Sequence, residues 1–285
     1  MDDVLVRLLN NDDISFVHEL NVMEGWGDTR RDIERMLEYE PNGCFLAEVN
    51  GERVGHIFTV NYGLLGWIGL LIVKPAYRRR GIGSLLMKRA IKYLLDRGVK
   101  TIRLESVYKI ANLYRNLGFI DEYDSLRFQG LSFEHKLSQS NVFPMREEEL
   151  GEVAKFDEKY FGANRFRVLS KLYHDYPHLC FVSRLNSKIL GYIMCRERMD
   201  GYRIGPWICS PHRPQIALNL LLKCLSVLEP KVKIFIGVPA VNEVAVKILQ
   251  KQVFRQYSKS IRMYLGVKIE DEPEGVYAIG GPEKG

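Results

Sequence analysis

Two stretches of this chain repeat one another at a nearly constant spacing, and that repeat limits the possible folds more than any other feature. Cys44-Phe45 recurs as Cys180-Phe181, and Asn50-x4-Gly55-His56 recurs as Asn186-x4-Gly191-Tyr192, both at an offset of 136 residues. Phe119 and Arg127 recur as Phe254 and Arg262 at an offset of 135. Four correspondences in one order argue for a duplicated domain. The period is far longer than that of solenoid repeats, so each unit is expected to own a core. A length of 285 residues suits two domains of ordinary size. We place them at 1–137 and 141–285, with the polar stretch 131–140 as the linker.

Hydrophobic residues make up 46% of the chain and charged residues 27%, with 11 prolines, which excludes a disordered or low-complexity chain. No apolar run reaches the length of a membrane span. The start, Met1-Asp2-Asp3, is acidic where a secretory signal is basic. A cytoplasmic location away from membranes is the expectation. Four of the five cysteines, Cys44, Cys180, Cys195 and Cys209, sit in apolar strand-like runs and read as core rather than as disulfides. No Cys-x-x-Cys spacing occurs, and a metal site is not expected.

Charge is segregated along the first half. Lys+Arg against Asp+Glu is 5 against 13 in residues 1–73 and 14 against 6 in residues 74–138, a net −8 followed by a net +8. Such a dipole suits a protein that takes an anionic ligand on one side and a cationic one on the other, although chance clustering on solvated helices gives the same count.

Hydrophobic periodicity gives one element order twice. In the first unit it predicts a strand at 4–8, helices at 11–23 and 29–39, and strands at 44–49 and 53–60 around an Asn50-Gly51 hairpin turn. A strand at 67–73, a helix at 82–96, a strand at 101–107, a helix at 110–117 and a strand at 123–129 follow. The second unit predicts helices at 147–159 and 164–174, strands at 179–184, 189–196 and 202–209, a helix at 214–228, a strand at 232–238, a helix at 242–252 and a strand at 256–266. The fold class is α+β: each unit carries a mixed, mostly antiparallel sheet flanked by helices.

The densest chemical signal lies between the strand at 67–73 and the helix that follows. Arg78-Arg79-Arg80-Gly81-Ile82-Gly83-Ser84 places three cations and two glycines at a helix start. Backbone N–H groups there converge on an anion, the helix dipole favours it, and glycine lets the main chain approach closely. Alone, the glycines also fit a tight turn and the arginines a solvated patch; their combination between strand and helix favours pyrophosphate.

The residues resemble the signatures of the GNAT superfamily of acyl-CoA N-acyltransferases. Arg78, Gly81 and Gly83 match the Arg/Gln-x-x-Gly-x-Gly/Ala signature, and Leu113-Tyr114 with Gly118-Phe119 matches the Leu-Tyr-x-x-x-Gly-Phe helix. The second unit is similar to the divergent C-terminal domain of tandem, YitH-type members in Phe161 to Arg165, Gly205-Pro206-Trp207, Arg262 to Gly266 and the tail from Tyr277. The resemblance implies two tandem GNAT domains and transfer of an acetyl group from acetyl-CoA to a primary amine by direct attack in a ternary complex.

It further implies acetyl-CoA bound by the backbone of Leu71, Ile72 and Val73, by Arg78, Arg79, Arg80, Gly81, Ile82, Gly83 and Ser84, and by Asn112. Tyr114 is the implied acid for the departing thiolate, or else a core residue of its helix. The amine must lose a proton before it can attack. Glu105 is the first candidate base and Glu24, beside Trp26, the second; an exposed carboxylate is the alternative for both.

The second unit departs from the pattern. Cys209-Ser210-Pro211-His212-Arg213-Pro214 has no glycine and two prolines, and Leu249 and Val253 stand where the first unit has Tyr114 and Gly118. That unit is not expected to bind acetyl-CoA in the usual way. The acceptor is left open between a small molecule and a protein N-terminus or lysine, and the chain between monomer and homodimer. Nucleic acid, membrane and metal are not expected. A non-catalytic acyl-CoA-binding or regulatory protein on the same scaffold is the alternative function.

Overall fold

The computed structural model describes residues 4–133, 141–186 and 188–285; most of the expected linker at 131–140 lies outside them. In chain order the first half comprises β1 (Val4–Leu8), α1 (Ile14–Met23), α2 (Arg30–Tyr39), β2 (Phe45–Val49), β3 (Glu52–Asn61), β4 (Leu65–Val73), α3 (Ile82–Leu95), β5 (Thr101–Ser106), α4 (Ala111–Arg115) and β6 (Ile120–Leu131). The second half comprises β7 (Val142–Pro144), α5 (Leu150–Phe161), α6 (Phe166–Asp175), β8 (Cys180–Leu185), β9 (Lys188–Arg198), β10 (Gly201–Cys209), α7 (Pro214–Ser226), β11 (Lys233–Pro239), α8 (Glu243–Lys251), β12 (Arg255–Gly266) and β13 (Val276–Ala278). No helix among the described residues is long and apolar enough to cross a membrane.

Local chemistry sets the boundaries. Thr29 caps α2: its hydroxyl accepts the Asp32 N–H while Asp32 accepts the Thr29 N–H, a capping box. The β2–β3 turn needs Asn50 and Gly51 at φ 51° and 81°, the primed-turn conformation that matches strand twist. The helix expected at 110–117 is shorter, because Gly118 at φ 90° ends it and β6 begins just after Phe119.

All strands join one sheet in the order β1-β2-β3-β4-β5-β12-β6-β11-β10-β9-β8-β7, with β13 on β10. The long last strands cross between the halves. β12 pairs antiparallel with β5, from Ile261 opposite Ser106 to Gly266 opposite Thr101, and β6 pairs antiparallel with β11, from Leu131 opposite Lys233 to Ser125 opposite Pro239. β6 and β12 pair with each other along their length. Each half thus completes its sheet with a strand of the other, a pairing that periodicity cannot reveal.

Neither half closes a core alone. α3 packs Leu86, Ala90 and Leu94 on Phe45, Ile57 and Ile68, and that cluster takes in Ile261 and Met263 of β12. α1 and α2 cover the opposite face together with Phe161 and Val168. The core of the second half includes Phe128 of β6. A buried polar seam also joins the halves: Asp32 Oδ1 meets Arg196 Nε at 3.0 Å and Arg35 NH2 at 2.5 Å, while Arg35 NH1 reaches Asp175 at 2.7 Å.

Two outcomes follow. The full chain should unfold in one calorimetric transition, and residues 1–139 alone, deprived of β12, should aggregate or remain unfolded. Arg196→Leu removes the cation that the buried Asp32 and Glu283 carboxylates share and should destabilise the chain by about 3 kcal/mol in chemical denaturation.

Candidate active site

β4 and β5 run parallel and pair from Leu65 opposite Thr101 to Ile68 opposite Leu104, where the pairing ends. β4 then bulges: Phe58 faces Gly69 but His56 faces Ile72, and Leu70 takes φ 50°. Beyond the bulge the register of β4 continues with β3 alone, so the other edge of Leu71, Ile72 and Val73 faces a cleft where backbone groups are open to a ligand. His56, beside the bulge, is buried between Phe16 and Phe58; burial pushes its pKa down to about 3, so it is neutral at physiological pH.

At the outer end of the cleft the chain turns through Arg79 at φ 62° and Gly81 at φ 82° into α3. A Cβ at Gly81 would meet no atom within 4 Å, and one at Gly83 would meet only Val73 Cγ2 at 3.9 Å. The space before the helix start is therefore open, as a bound pyrophosphate requires. Ile82 buries its side chain in the core and can offer only its backbone, whereas Ser84 is half-buried. Arg79 and Arg80 are exposed, with Arg80 lying over the Tyr77 ring. Arg78 turns back: its Nε donates to Val73 O at 2.8 Å and its guanidinium pairs with Glu24.

The inner end opens into a cavity of about 340 Å³ whose wall includes Ile68, Leu70, Leu71, Leu104, Glu105 and Tyr114. Tyr114 packs edge-on against Phe119, and burial raises its phenol above the ordinary range, so it holds its proton. Glu105 Oε2 accepts from Ser260 Oγ at 2.7 Å and Arg127 NH2 at 3.0 Å, while Oε1 has no partner among the described residues. Glu24 is held by Arg78 and does not line the cavity, although Gly25 and Trp26 do. Asn112 is exposed, accepts from Arg115 NH1 at 2.7 Å and lies off the wall.

The second half repeats the splay and fills it. β10 and β11 pair from Tyr202 opposite Ile234 to Ile204 opposite Ile236, and then separate. Into the gap comes β13, antiparallel to β10 with Trp207 opposite Ala278, and the Ile279 N–H donates to Gly237 O on β11 at 2.9 Å. A Cβ on Gly205 would lie 2.0 Å from Ile279 O. Leu249 is buried in the core and Val253 is 74% exposed, so neither supplies a phenol.

An acetyltransferase (GNAT) family model matches residues 12–119, and an acetyltransferase (GNAT) domain model matches residues 153–278. The chain belongs to the GNAT family. It carries two GNAT domains in tandem, with the mixed sheet and flanking helices of that fold. Along 94% of its length it is 26% identical to a holothin acyltransferase of a Pseudoalteromonas strain, of which it covers 90%. A 121-residue part is 37% identical to an acetyltransferase of Pectobacterium atrosepticum, covering 40% of this chain and 86% of that one. Among solved structures, a candidate acetyltransferase from Pyrococcus horikoshii is 28% identical with a TM-score of 0.86, covering 99% of this chain and 96% of its own. A tandem GNAT protein from the clavulanic acid biosynthesis pathway shares the fold, with a TM-score of 0.62 at 13% identity over 94% of this chain and 100% of its own.

Several residues on the GNAT cavity wall escape sequence reasoning. Arg127 arrives on β6 and Ser260 on β12, so their meeting at Glu105 depends on the strand exchange. Asp28 is 6% exposed and accepts from Asn21 Nδ2 at 3.3 Å, and no cation among the described residues lies within ion-pair distance of it. Burial, helped by the charge of Glu283, pushes its pKa up to about 7. Glu283 comes from the C-terminal tail; burial opposes its ionisation, but Lys284 and Arg196 outweigh that and hold it at about 2.

Asp28 therefore binds its proton more tightly in the folded than in the unfolded chain. Its contribution is present at low pH and is lost as pH rises through about 7. Raising the pH from about 6 to about 8 should lower the melting temperature, and Asp28→Asn should flatten that slope.

Proposed function

We propose that this GNAT protein transfers an acetyl group from acetyl-CoA to a primary amine by direct attack, with the chemistry in the cleft between β4 and β5. The observation that carries this reading is the contrast between the two clefts. The first has open space beside the glycines of its helix start and, past the bulge of β4, a cavity walled by Tyr114 and Glu105, whereas the second is filled by the chain's own β13.

On this reading the pyrophosphate of acetyl-CoA lies against the backbone from Arg79 to Ser84, and the pantetheine arm pairs with the cleft-side edge of Leu71 to Val73, where Arg78 Nε already holds Val73 O. A backbone N–H next to the bulge donates to the thioester oxygen as it gains charge. The amine nitrogen forms a bond to the carbonyl carbon while the C–S bond breaks. Tyr114, protonated and buried beside the cavity, gives its proton to the departing sulfur. Glu105 is the candidate base. A second reading, a non-catalytic acyl-CoA-binding protein, is favoured by the hold of Arg127 and Ser260 on Glu105, which gives that carboxylate a structural role.

Calorimetric titration with acetyl-CoA tests the binding half. One site is expected in the full chain and none in Gly83→Glu, whose carboxylate would stand in the open space before α3; two sites would overturn the assignment of the second half. Thiol release with a panel of primary amines tests the chemistry. Tyr114→Phe should slow turnover by about a hundredfold and leave the affinity for acetyl-CoA within about twofold. Release that no amine stimulates would select the non-catalytic reading.

A further inference from the structure

The last ten residues form a buried cord between the two clefts. From β13 the chain passes Ile279 and turns at Gly280-Gly281, where the Gly280 N–H donates to Gly285 O and the Gly285 N–H to Gly281 O, both at 2.8 Å. The first half then pins the turn: Trp67 Nε1 donates to Pro282 O at 2.9 Å and Tyr62 OH to Lys284 O at 2.8 Å. Arg165 NH1, from the second half, donates to Gly285 O at 2.8 Å. A Cβ on Gly69 would stand 2.4 Å from Glu283 Cα, so the tail lies directly against the bulge of β4.

In the second cleft the same cord hydrogen-bonds to both splayed strands, on β10 through β13 and on β11 through the Ile279 N–H. Gly205 and Gly237 leave it room: a Cβ on Gly237 would lie 3.1 Å from Ile279 Cγ1. The place that an acyl-pantetheine arm would take in an open cleft is here taken by a peptide.

The acids on the cavity wall differ in their partners. Glu105 has Arg127, and Glu283 has Arg196 at 3.1 Å and Lys284. Among the described residues Asp28 has only the Asn21 amide as a side-chain partner; Arg203 and Arg196 act on it from beyond ion-pair distance. The wall also carries the apolar Trp26, Ile68, Leu70, Leu104, Val107 and Ile110 and the cations Arg127, Arg198, Arg203 and Lys259, of which Arg127, Arg198 and Lys259 are paired with Glu105, Asp200 and Asp124. A buried carboxylate with no cation in ion-pair contact among the described residues, set beside an apolar stretch of wall, is matched by an ammonium group on an apolar body.

We propose that the C-terminal tail is the acceptor-recognition element of the first cleft: seated in the second cleft like a pantetheine arm, it holds Glu283 beside Asp28, and the two carboxylates receive the ammonium of an acceptor with an apolar body. This rests on the acetyl-transfer reading of the first cleft, deepens it to an acceptor class, and gives the second half a task.

The full chain, saturated with CoA, is titrated with phenethylammonium and with its neutral isostere 2-phenylethanol, and acetyl-CoA is titrated in parallel. The ammonium should bind at least about tenfold more tightly than the alcohol, and Asp28→Asn and Glu283→Gln should each weaken it at least about tenfold while acetyl-CoA affinity stays within about twofold. Ile279→Asp should speed amide exchange across 276–285 and weaken the ammonium likewise; Asp28→Asn, away from the seat, keeps the test alive if that variant does not fold. Equal binding of ammonium and alcohol, no binding of either, or carboxylate variants that hold the ammonium unchanged would overturn the proposal. Failure of the wild-type chain to bind acetyl-CoA would instead overturn the reading beneath it.

Discussion

The antiparallel ladder between β6 and β12 is the contact on which the rest of the molecule depends. Each strand is twelve residues long and hydrogen-bonded on both edges, to its twin and to the parallel pair of the other half. Two sheets that would each end in an exposed edge become one sheet with no edge at its middle, which removes the sites where a foreign strand could add. The ladder also assembles chemistry. Glu105 on β5 meets Arg127 of β6 and Ser260 of β12 only because the last strands have crossed, so the environment of a candidate base in the first half is built by both halves.

Duplication produced two splayed clefts, and backbone chemistry separated their fates. In the first, Gly81 reaches a positive φ at no steric cost, and Gly83 keeps a helix start bare. In the second, Pro214 occupies the first helical position and removes an N–H, and the splayed strands take a peptide between them. A parallel pair that opens leaves donors and acceptors unsatisfied in a buried place, and such groups are costly until something pairs with them. The tail supplies that partner permanently where a diffusible ligand would supply it in part.

The charged seam at the join follows the same logic. Asp32, Arg35, Arg196 and Glu283 are nearly or fully buried, and Arg196 also donates to Gly280 O at 2.7 Å. Buried ion pairs add little net stability compared with apolar packing, but an unpaired member is heavily penalised. The seam therefore acts mainly as a register: only one seating of the tail and one approach of β9 to α2 satisfy every charge.

The sequence by itself determined the duplicated element order, the hairpin at Asn50-Gly51, and the glycine-bearing helix start after Arg78-Arg79-Arg80. It also marked Tyr114 and Gly118 as a motif and the prolines of the second half as its departure. These are contacts across a few residues, written in periodicity and turn chemistry, so a single chain displays them. Only the tertiary structure decided that β6 and β12 change places, that Arg127 and Ser260 converge on Glu105, that Asp28 sits in the cavity while Glu24 pairs with Arg78, and that residues 276–285 run between the clefts. Each of those depends on groups far apart in the chain, where strand pairing and charge burial are settled by which arrangement leaves the fewest edges and polar groups unsatisfied, and no local pattern records that choice.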